Sequence, residues 1–167
     1  MKIFVLLLLA FALPSWSESL EDGWKGIQVF QSHRADVERA FVKPIEGDAL
    51  EARYETKDAL IHVLYAAGPC TALKTLTGRY NVPAGTVIEY DVVPKGDLRL
   101  KDLGWKRELY ERRPDPHVVN MAQYDNRRTG IWLTTRTESD KIEIVSSIYF
   151  ERTTELSSRF GCPPNED

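Results

Sequence analysis

This sequence has no excess of glycine, of proline or of basic charge. Its 167 residues include 10 Gly and 9 Pro, which excludes collagen-like and low-complexity chains. Lys and Arg number 22 against 25 Asp and Glu, a net charge of −3. Because nucleic-acid binding depends on a basic surface that neutralises phosphates, no nucleic-acid partner is expected. With 43% hydrophobic and 28% charged residues, the composition is that of an ordinary globular domain.

Long hydrophobic runs are also few, and the one that exists stands at the N-terminus. Lys2 precedes the apolar run Ile3–Leu13, Pro14 interrupts it, and Ser15 and Ser17 offer small residues at a cleavage site. Eleven apolar residues are about half of the roughly 20 that a membrane-spanning helix needs. The sequence predicts a signal peptide over residues 1–17, with a membrane anchor as the alternative. It also predicts a single α+β domain over 18–167, periplasmic or secreted, with no membrane span after cleavage.

Cysteine is limited to two residues, Cys70 and Cys162. There is no CxxC motif, and each cysteine stands beside a proline without a neighbouring histidine, so local support for a redox pair or a metal site is missing. In an oxidising compartment, two thiols in one chain are most simply one disulfide. Closing a loop of about 90 residues is worth on the order of 4 kcal/mol in the chain-entropy model.

The first half of the chain alternates helical and strand patterns. Ser32 is a candidate N-cap for a helix over His33–Phe41, which Pro44 ends. Strand patterns follow over Leu50–Glu55, Leu60–Ala66 and Thr86–Val93. In the second half, i,i+4 charge pairs predict a helical piece near Trp105–Arg112. The strands predicted after it are Val118–Tyr124, Gly130–Arg136 and Ile142–Phe150.

The two halves share a short sequence pattern at an offset of 70 residues. Ala52–Lys57 aligns with Ala122–Arg127, and Ile61 and His62 align with Ile131 and Trp132. Two interpretations stay open: the halves are a true structural repeat, or two hairpins of similar composition match by chance. The predicted fold is an antiparallel sheet with short helices packed on one face. In the repeat interpretation, helix–hairpin–strand halves cover residues 24–95 and 97–152.

Several segments resemble a group of uncharacterised exported bacterial proteins of acidobacterial type. The likeness rests on Gly23–Ile27, Arg34–Glu38, the Gly68-Pro69-Cys70 turn and Asn81–Ile88. More loosely, a short helix, a proline break and a tyrosine-bearing hairpin are similar to the SmpA/OmlA lipoproteins, and the tandem arrangement to the β-lactamase inhibitor protein (BLIP-like domains). This chain has no lipoprotein cysteine, and Phe41-Val42-Lys43-Pro44 stands where Leu-Gly-x-Pro is expected. The resemblance implies an architecture and an exported location, but no activity.

Motifs for catalysis or metal binding are absent from the sequence. His33, His62 and His117 form no HExxH or i,i+4 pair, and there is no GxSxG motif, phosphate loop or dinucleotide fingerprint. Glu89 and Asp91 share one face of a strand, which is more typical of a solvated surface than of a glycosidase site. No metal and no cofactor are predicted, and enzymatic activity is left uncertain but not favoured.

Strand alternation gives the most informative prediction. In the last strand, Ile144, Ile148 and Phe150 are expected to face the helices, and Val145 and Tyr149 the outside. The same alternation in the other strands predicts that four more residues face the core: Ile131, Leu133, Ile61 and Val63. The residues expected on the outer face are Trp132, Tyr149, His62 and Arg136.

Aromatic and arginine side chains are typical of protein-binding surfaces. The sequence therefore predicts an exported, non-enzymatic domain that binds a protein or envelope component through an open sheet face. Two alternatives stay open. A loop such as Cys70–Pro83, or the disulfide-tied tail, could cover these side chains, and a pocket between sheet and loops could serve small-molecule binding or hydrolysis. The oligomeric state is not predicted.

Overall fold

The computed structural model describes residues 19–71 and 76–163. The predicted signal peptide over residues 1–17 lies outside the described residues. Within those two ranges, no helix combines the length and the apolar composition needed to cross a bilayer.

An eight-stranded antiparallel sheet is the framework of the described chain. Its strands are β1 (Glu46–Gly47), β2 (Glu51–Glu55), β3 (Ala59–Tyr65), β4 (Val87–Pro94), β5 (Glu111–Pro114), β6 (Met121–Asn126), β7 (Ile131–Thr137) and β8 (Glu143–Phe150). They lie in the order β1-β2-β3-β4-β8-β7-β6-β5, so two four-stranded meanders meet where β4 pairs with β8. With helices α1 (Arg34–Phe41) and α2 (Thr154–Phe160), this confirms the predicted α+β class with an antiparallel sheet.

Helix α1 closely follows the sequence prediction, although its cap differs. The N-cap is His33 rather than Ser32, and the His33 backbone N–H donates to the Asp36 carboxylate at 2.8 Å. Ser32 instead accepts a hydrogen bond from the Gln28 backbone at 3.0 Å. Val37, in the middle of the helix, and Phe41, at its end, are buried in the larger hydrophobic core.

The main core lies on one face of the sheet, which we call the inner face. Ile131 and Leu133 are both buried there, together with Ile61 and Val63 of the other meander. Because successive strand residues point to opposite faces, the side chains between them project to the outer face.

Buried tyrosine hydroxyls in the main core are hydrogen-bonded. The Tyr90 hydroxyl donates to the Ile27 carbonyl at 2.6 Å and accepts from the Trp24 backbone N–H at 2.9 Å. The hydroxyls of Tyr54 and Tyr65 lie 2.8 Å apart. Burial raises the pKa of Tyr90, so this hydroxyl stays neutral and tethers the N-terminal segment to β4.

The helix predicted near Trp105–Arg112 is wrong. A single 3₁₀ turn, Arg107–Leu109, leads directly into β5, in which Arg112 pairs with Tyr124 of β6. Helix-surface ion pairs supply only about 0.2–0.5 kcal/mol each, whereas the extended chain gains a hydrogen-bonded ladder and buries Tyr110.

A bulge changes the predicted alternation of β8. Thr134 pairs with Ser147, but the next residue of β7, Thr135, pairs with Val145, so β8 contains one extra residue at this point. Val145 therefore joins the main core, and Ile144 lies opposite Arg136. The expectation that Val145 faces the outside is wrong, because the bulge shifts every residue beyond it by one position. Ile144 is buried as expected, although its pairing with Arg136 places it on the opposite face from Val145.

The predicted disulfide joins Cys70 to Cys162, whose Cα atoms are 5.5 Å apart. It ties the end of α2 to a second, smaller core in which the Phe30 ring lies 5.0 Å from Phe160 and 4.9 Å from Tyr80. Leu64, an outward residue of β3, packs on this cluster. The disulfide-tied layer therefore covers one end of the outer face.

Candidate functional site

A continuous row of side chains crosses the outer face from one edge of the sheet to the other. Each member is directly opposite the next in the strand pairing. We call it the central row: Glu46, Arg53, His62, Asp91, Tyr149, Trp132, Asp125 and Glu111. The sheet thus brings together three of the four residues predicted for binding, namely His62, Tyr149 and Trp132.

The middle of the central row is an aromatic pair. The rings of Trp132 and Tyr149 are stacked, with centroids 4.6 Å apart and an interplanar angle of 26°. Such a pair contributes about 0.5–1.5 kcal/mol beyond its area burial. Both side chains are partly exposed, while Trp132 Nε1 is shielded from solvent and has no hydrogen-bond partner among the described residues. The pair is a rigid, mainly apolar platform on the outer face.

His62 lies between two carboxylates. Its Nε2 is 3.4 Å from Glu51 and its Nδ1 is 3.5 Å from Asp91. Since the carboxylates approach opposite ring nitrogens, they do not converge on one point at which a cation could be chelated. In the described part of the chain, no group of three or more His, Cys, Asp or Glu side chains is arranged to hold a metal ion.

Asp91 is the most enclosed carboxylate of this part of the row, with 23% of its side chain exposed. Burial raises the pKa of the Asp91 carboxyl, and the nearby His62 ring and, to a lesser degree, Arg53 act in the opposite direction. Arg53 itself donates to Glu46 at 3.2 Å. Burial thus disfavours the charged form of Asp91 despite these neighbours.

Asp125 occupies the matching position on the other side of the aromatic pair, opposite Trp132. Arg127 Nε donates to its carboxylate at 3.1 Å, and Arg113 Nη2 lies 3.9 Å away. The two flanks of the platform therefore differ, because Asp125 contacts two arginines and Asp91 contacts a histidine.

A groove of about 370 Å³ opens beside His62 and Asp91. We call it the β3–β4 groove. Its apolar lining includes Ile45, Leu60 and Val93, which are 59%, 43% and 39% exposed. Leu60 and Val93 are direct partners across β3 and β4 on the outer face. The sequence analysis did not identify this apolar rim, although Leu60 and Val93 both hold outward positions in their strands.

The fourth predicted residue, Arg136, lies apart from the row. It is on β7 opposite Ile144, and its guanidinium donates to Asp97 at 2.8 Å and lies 3.5 Å from Glu138. Arg136 is therefore paired with two carboxylates of the protein itself, near the end of β7 that is distant from the central row.

Comparisons with known proteins give a distant structural likeness. No protein-family model matches the chain, and no curated protein matches it. The chain is similar to the crystal structure of a DUF4309 family protein (YjgB) from Bacillus subtilis subsp. subtilis str. 168, with 15% identity and a TM-score of 0.38 over 76% of this chain and 84% of that one.

Proposed function

We propose that the protein is an exported, non-enzymatic domain that binds a protein partner through the central row. The observation that carries the proposal is the stacked, partly exposed pair of Trp132 and Tyr149 at the middle of a sheet face. Tyrosine, tryptophan and arginine are the residues most enriched among interface hot spots, and they act best near the centre of a contact surface. Protein partners commonly bind such rigid aromatic anchors without large backbone movement.

Two features support the exported location. The disulfide between Cys70 and Cys162 is of the kind that persists in oxidising compartments, and the apolar N-terminal run has the pattern of a signal peptide. The resemblance to exported bacterial proteins points in the same direction.

A tandem origin of the two halves is part of the same proposal. Ala52 and Tyr54 of β2 align with Ala122 and Tyr124 of β6, and the strand order is mirrored about the β4–β8 pair. A BLIP-like duplication would produce one continuous face from two short meanders. The aromatic platform and the β3–β4 groove would then be divergent versions of one ancestral surface.

Site-specific photo-crosslinking tests the binding proposal. Ser147 lies on the outer face opposite Thr134, next to the aromatic pair, and is replaced by p-benzoylphenylalanine. The purified protein is irradiated with an envelope extract of its source cells, and adducts are identified by mass spectrometry. We expect one discrete protein adduct that is lost when Trp132→Ala and Tyr149→Ala are both introduced.

The matched control carries the same crosslinker at Lys57, an exposed residue in the turn between β2 and β3. An identical adduct from Lys57, or no adduct from Ser147 in protein with an unchanged unfolding midpoint, would refute the proposal. An undiminished adduct in the double variant would refute the role of the aromatic pair.

The β3–β4 groove supports a second candidate, small-molecule binding or hydrolysis. Its volume of about 370 Å³ fits a small ligand, and it brings His62 and Asp91 to an apolar wall. A hydrolytic role predicts turnover of chromogenic esters that is lost in His62→Gln. Turnover equal to that of buffer, alongside a Ser147 adduct, favours the protein-binding role.

A further inference from the structure

Charge is balanced unevenly along the central row. On the Asp125 flank, two arginines balance the two carboxylates of the row, because Arg127 donates to Asp125 and Arg113 donates to Glu111 at 2.6 Å and lies 3.9 Å from Asp125. On the other flank, Glu51 and Asp91 both face His62, and neither lies within 4 Å of a lysine or arginine in the part of the chain that the structure describes. The region around the β3–β4 groove therefore carries carboxylates that the protein's own cations do not match.

The remaining charges around the groove do not remove this imbalance. Arg53 is the cation across from His62, and it bonds to Glu46, which also lines the groove. On the other side, Arg152 donates to Glu89 at 2.9 Å, and the pKa of Glu151 is raised by burial and then by the charge of Glu89. Each nearby arginine is thus already committed to a carboxylate of its own.

The groove also offers what the stem of a basic side chain requires. Leu60 and Val93 supply exposed apolar surface, along which the methylene groups of lysine or arginine can lie. Asp91 stands directly opposite Tyr149, and directly opposed residues have Cβ atoms about 4.5–5.5 Å apart. A cation at Asp91 can therefore also reach the face of the Tyr149 ring.

The aromatic pair is free to accept such a cation. Cationic side chains lie over the rings of Phe41, Tyr65, Trp105, Tyr124 and Phe160 in the described chain. None of these contacts involves Trp132 or Tyr149. The platform therefore lacks an internal cation on the side that faces Asp91.

From this arrangement we infer that the β3–β4 groove receives a lysine or arginine side chain of a basic, apolar-flanked segment of the protein partner. The inference rests on the proposed function and names the chemistry of the partner at one end of the central row. An acidic segment or an anionic lipid surface would be repelled by the same carboxylates.

Peptide titration tests this inference directly. The probe is an acetylated and amidated pentapeptide with arginine at its centre and leucine and valine around it, compared with versions carrying glutamine or glutamate at the centre. Amide shifts of the labelled full-length mature protein report both affinity and location. We expect shifts around His62, Asp91 and Tyr149, with the arginine peptide binding at least about fivefold more tightly than the glutamine peptide and weakening as salt is added.

Two variants at the groove and one matched control sharpen the test. Asp91→Asn is expected to weaken arginine-peptide binding about fivefold, and His62→Lys, which places a tethered cation beside Asp91, to abolish it. Asp125→Asn removes the corresponding carboxylate on the neutralised flank and is expected to change affinity less than about twofold. Urea unfolding of each variant shows whether its fold is retained.

Equal binding of the arginine and glutamine peptides, no binding of the arginine peptide to the wild type, or equal losses in Asp91→Asn and Asp125→Asn would each overturn the inference. These failures are distinguishable from failure of the proposed function. If the Ser147 adduct persists in any of these cases, the central row still binds a protein, but not through a basic side chain at Asp91.

Discussion

Val42 ends helix α1 in a backbone conformation that normally belongs to glycine. Its φ is 70° and its ψ is −155°, a region that is sterically forbidden to β-branched residues. The side chain is 73% exposed, so packing supplies little compensation. We predict that Val42→Gly stabilises the protein, because glycine adopts this conformation without a clash between Cβ and the backbone.

The expected gain follows from two opposing contributions. Holding a non-glycine residue in this region costs about 1–3 kcal/mol. Glycine increases the conformational entropy of the unfolded chain, which costs about 0.4–1 kcal/mol. The net expectation for Val42→Gly is a stabilisation of about 1 kcal/mol. Val42→Ala keeps a Cβ and should recover only part of it.

Urea unfolding followed by tryptophan fluorescence measures this difference. With a slope of about 2 kcal/mol per molar, a gain of about 1 kcal/mol moves the midpoint upward by about 0.5 M. The matched control is Val119→Gly, since Val119 is 87% exposed and is not among the residues with positive φ. Its midpoint should fall. If Val42→Gly lowers the midpoint as much as Val119→Gly does, the strain argument is wrong.

Three further predictions concern the core, the groove and the disulfide. Tyr90→Phe leaves the Ile27 carbonyl and the Trp24 N–H without their partner, so the free energy of unfolding in urea should fall by about 2 kcal/mol. Tyr149→Phe, the control on the outer face, should lower it little. Equal losses in the two variants would contradict this prediction. Because burial raises the pKa of Asp91, its charged form opposes folding, so Asp91→Asn should be more stable than wild type at neutral pH. The difference should shrink as the pH falls through the raised pKa and vanish well below about pH 3.9, where the carboxyl is neutral in the unfolded state too. Lower stability of the variant at neutral pH would refute this prediction. Reducing the disulfide should lower the free energy of unfolding by on the order of 4 kcal/mol, and alkylation of the unfolded, unreduced chain should find no free thiol.

Local periodicity was sufficient to assign the faces of most strands. Ile131 and Leu133 alternate with Trp132, and this pattern alone separates the inner from the outer face because a strand has a side-chain period of two. Helix α1 was predictable for a similar reason, since its apolar positions recur at helical spacing and Pro44 excludes its continuation.

Features that depend on contacts distant in sequence could not be predicted in this way. The bulge in β8 exists only in its pairing with β7, so nothing in the local alternation reveals that Val145 is inside. Strand β5 carries the charge spacing of a helix but pairs with β6. The opposition of Asp91 and Tyr149 depends on β4 meeting β8 across the centre of the sheet, a non-local pairing that also creates the central row.

Two locally unfavourable features meet at the β3–β4 groove. Burial disfavours the charge of Asp91, and Leu60 and Val93 expose apolar surface across from each other. Each of these features lowers the stability of the isolated protein, and a simple substitution, such as a neutral amide in place of the Asp91 carboxylate, would remove the loss. Locally unfavourable residues that cluster, rather than scatter, are expected where binding recovers their cost. This clustering favours the β3–β4 groove, over the neutralised Asp125 flank, as the end of the central row at which a partner is anchored.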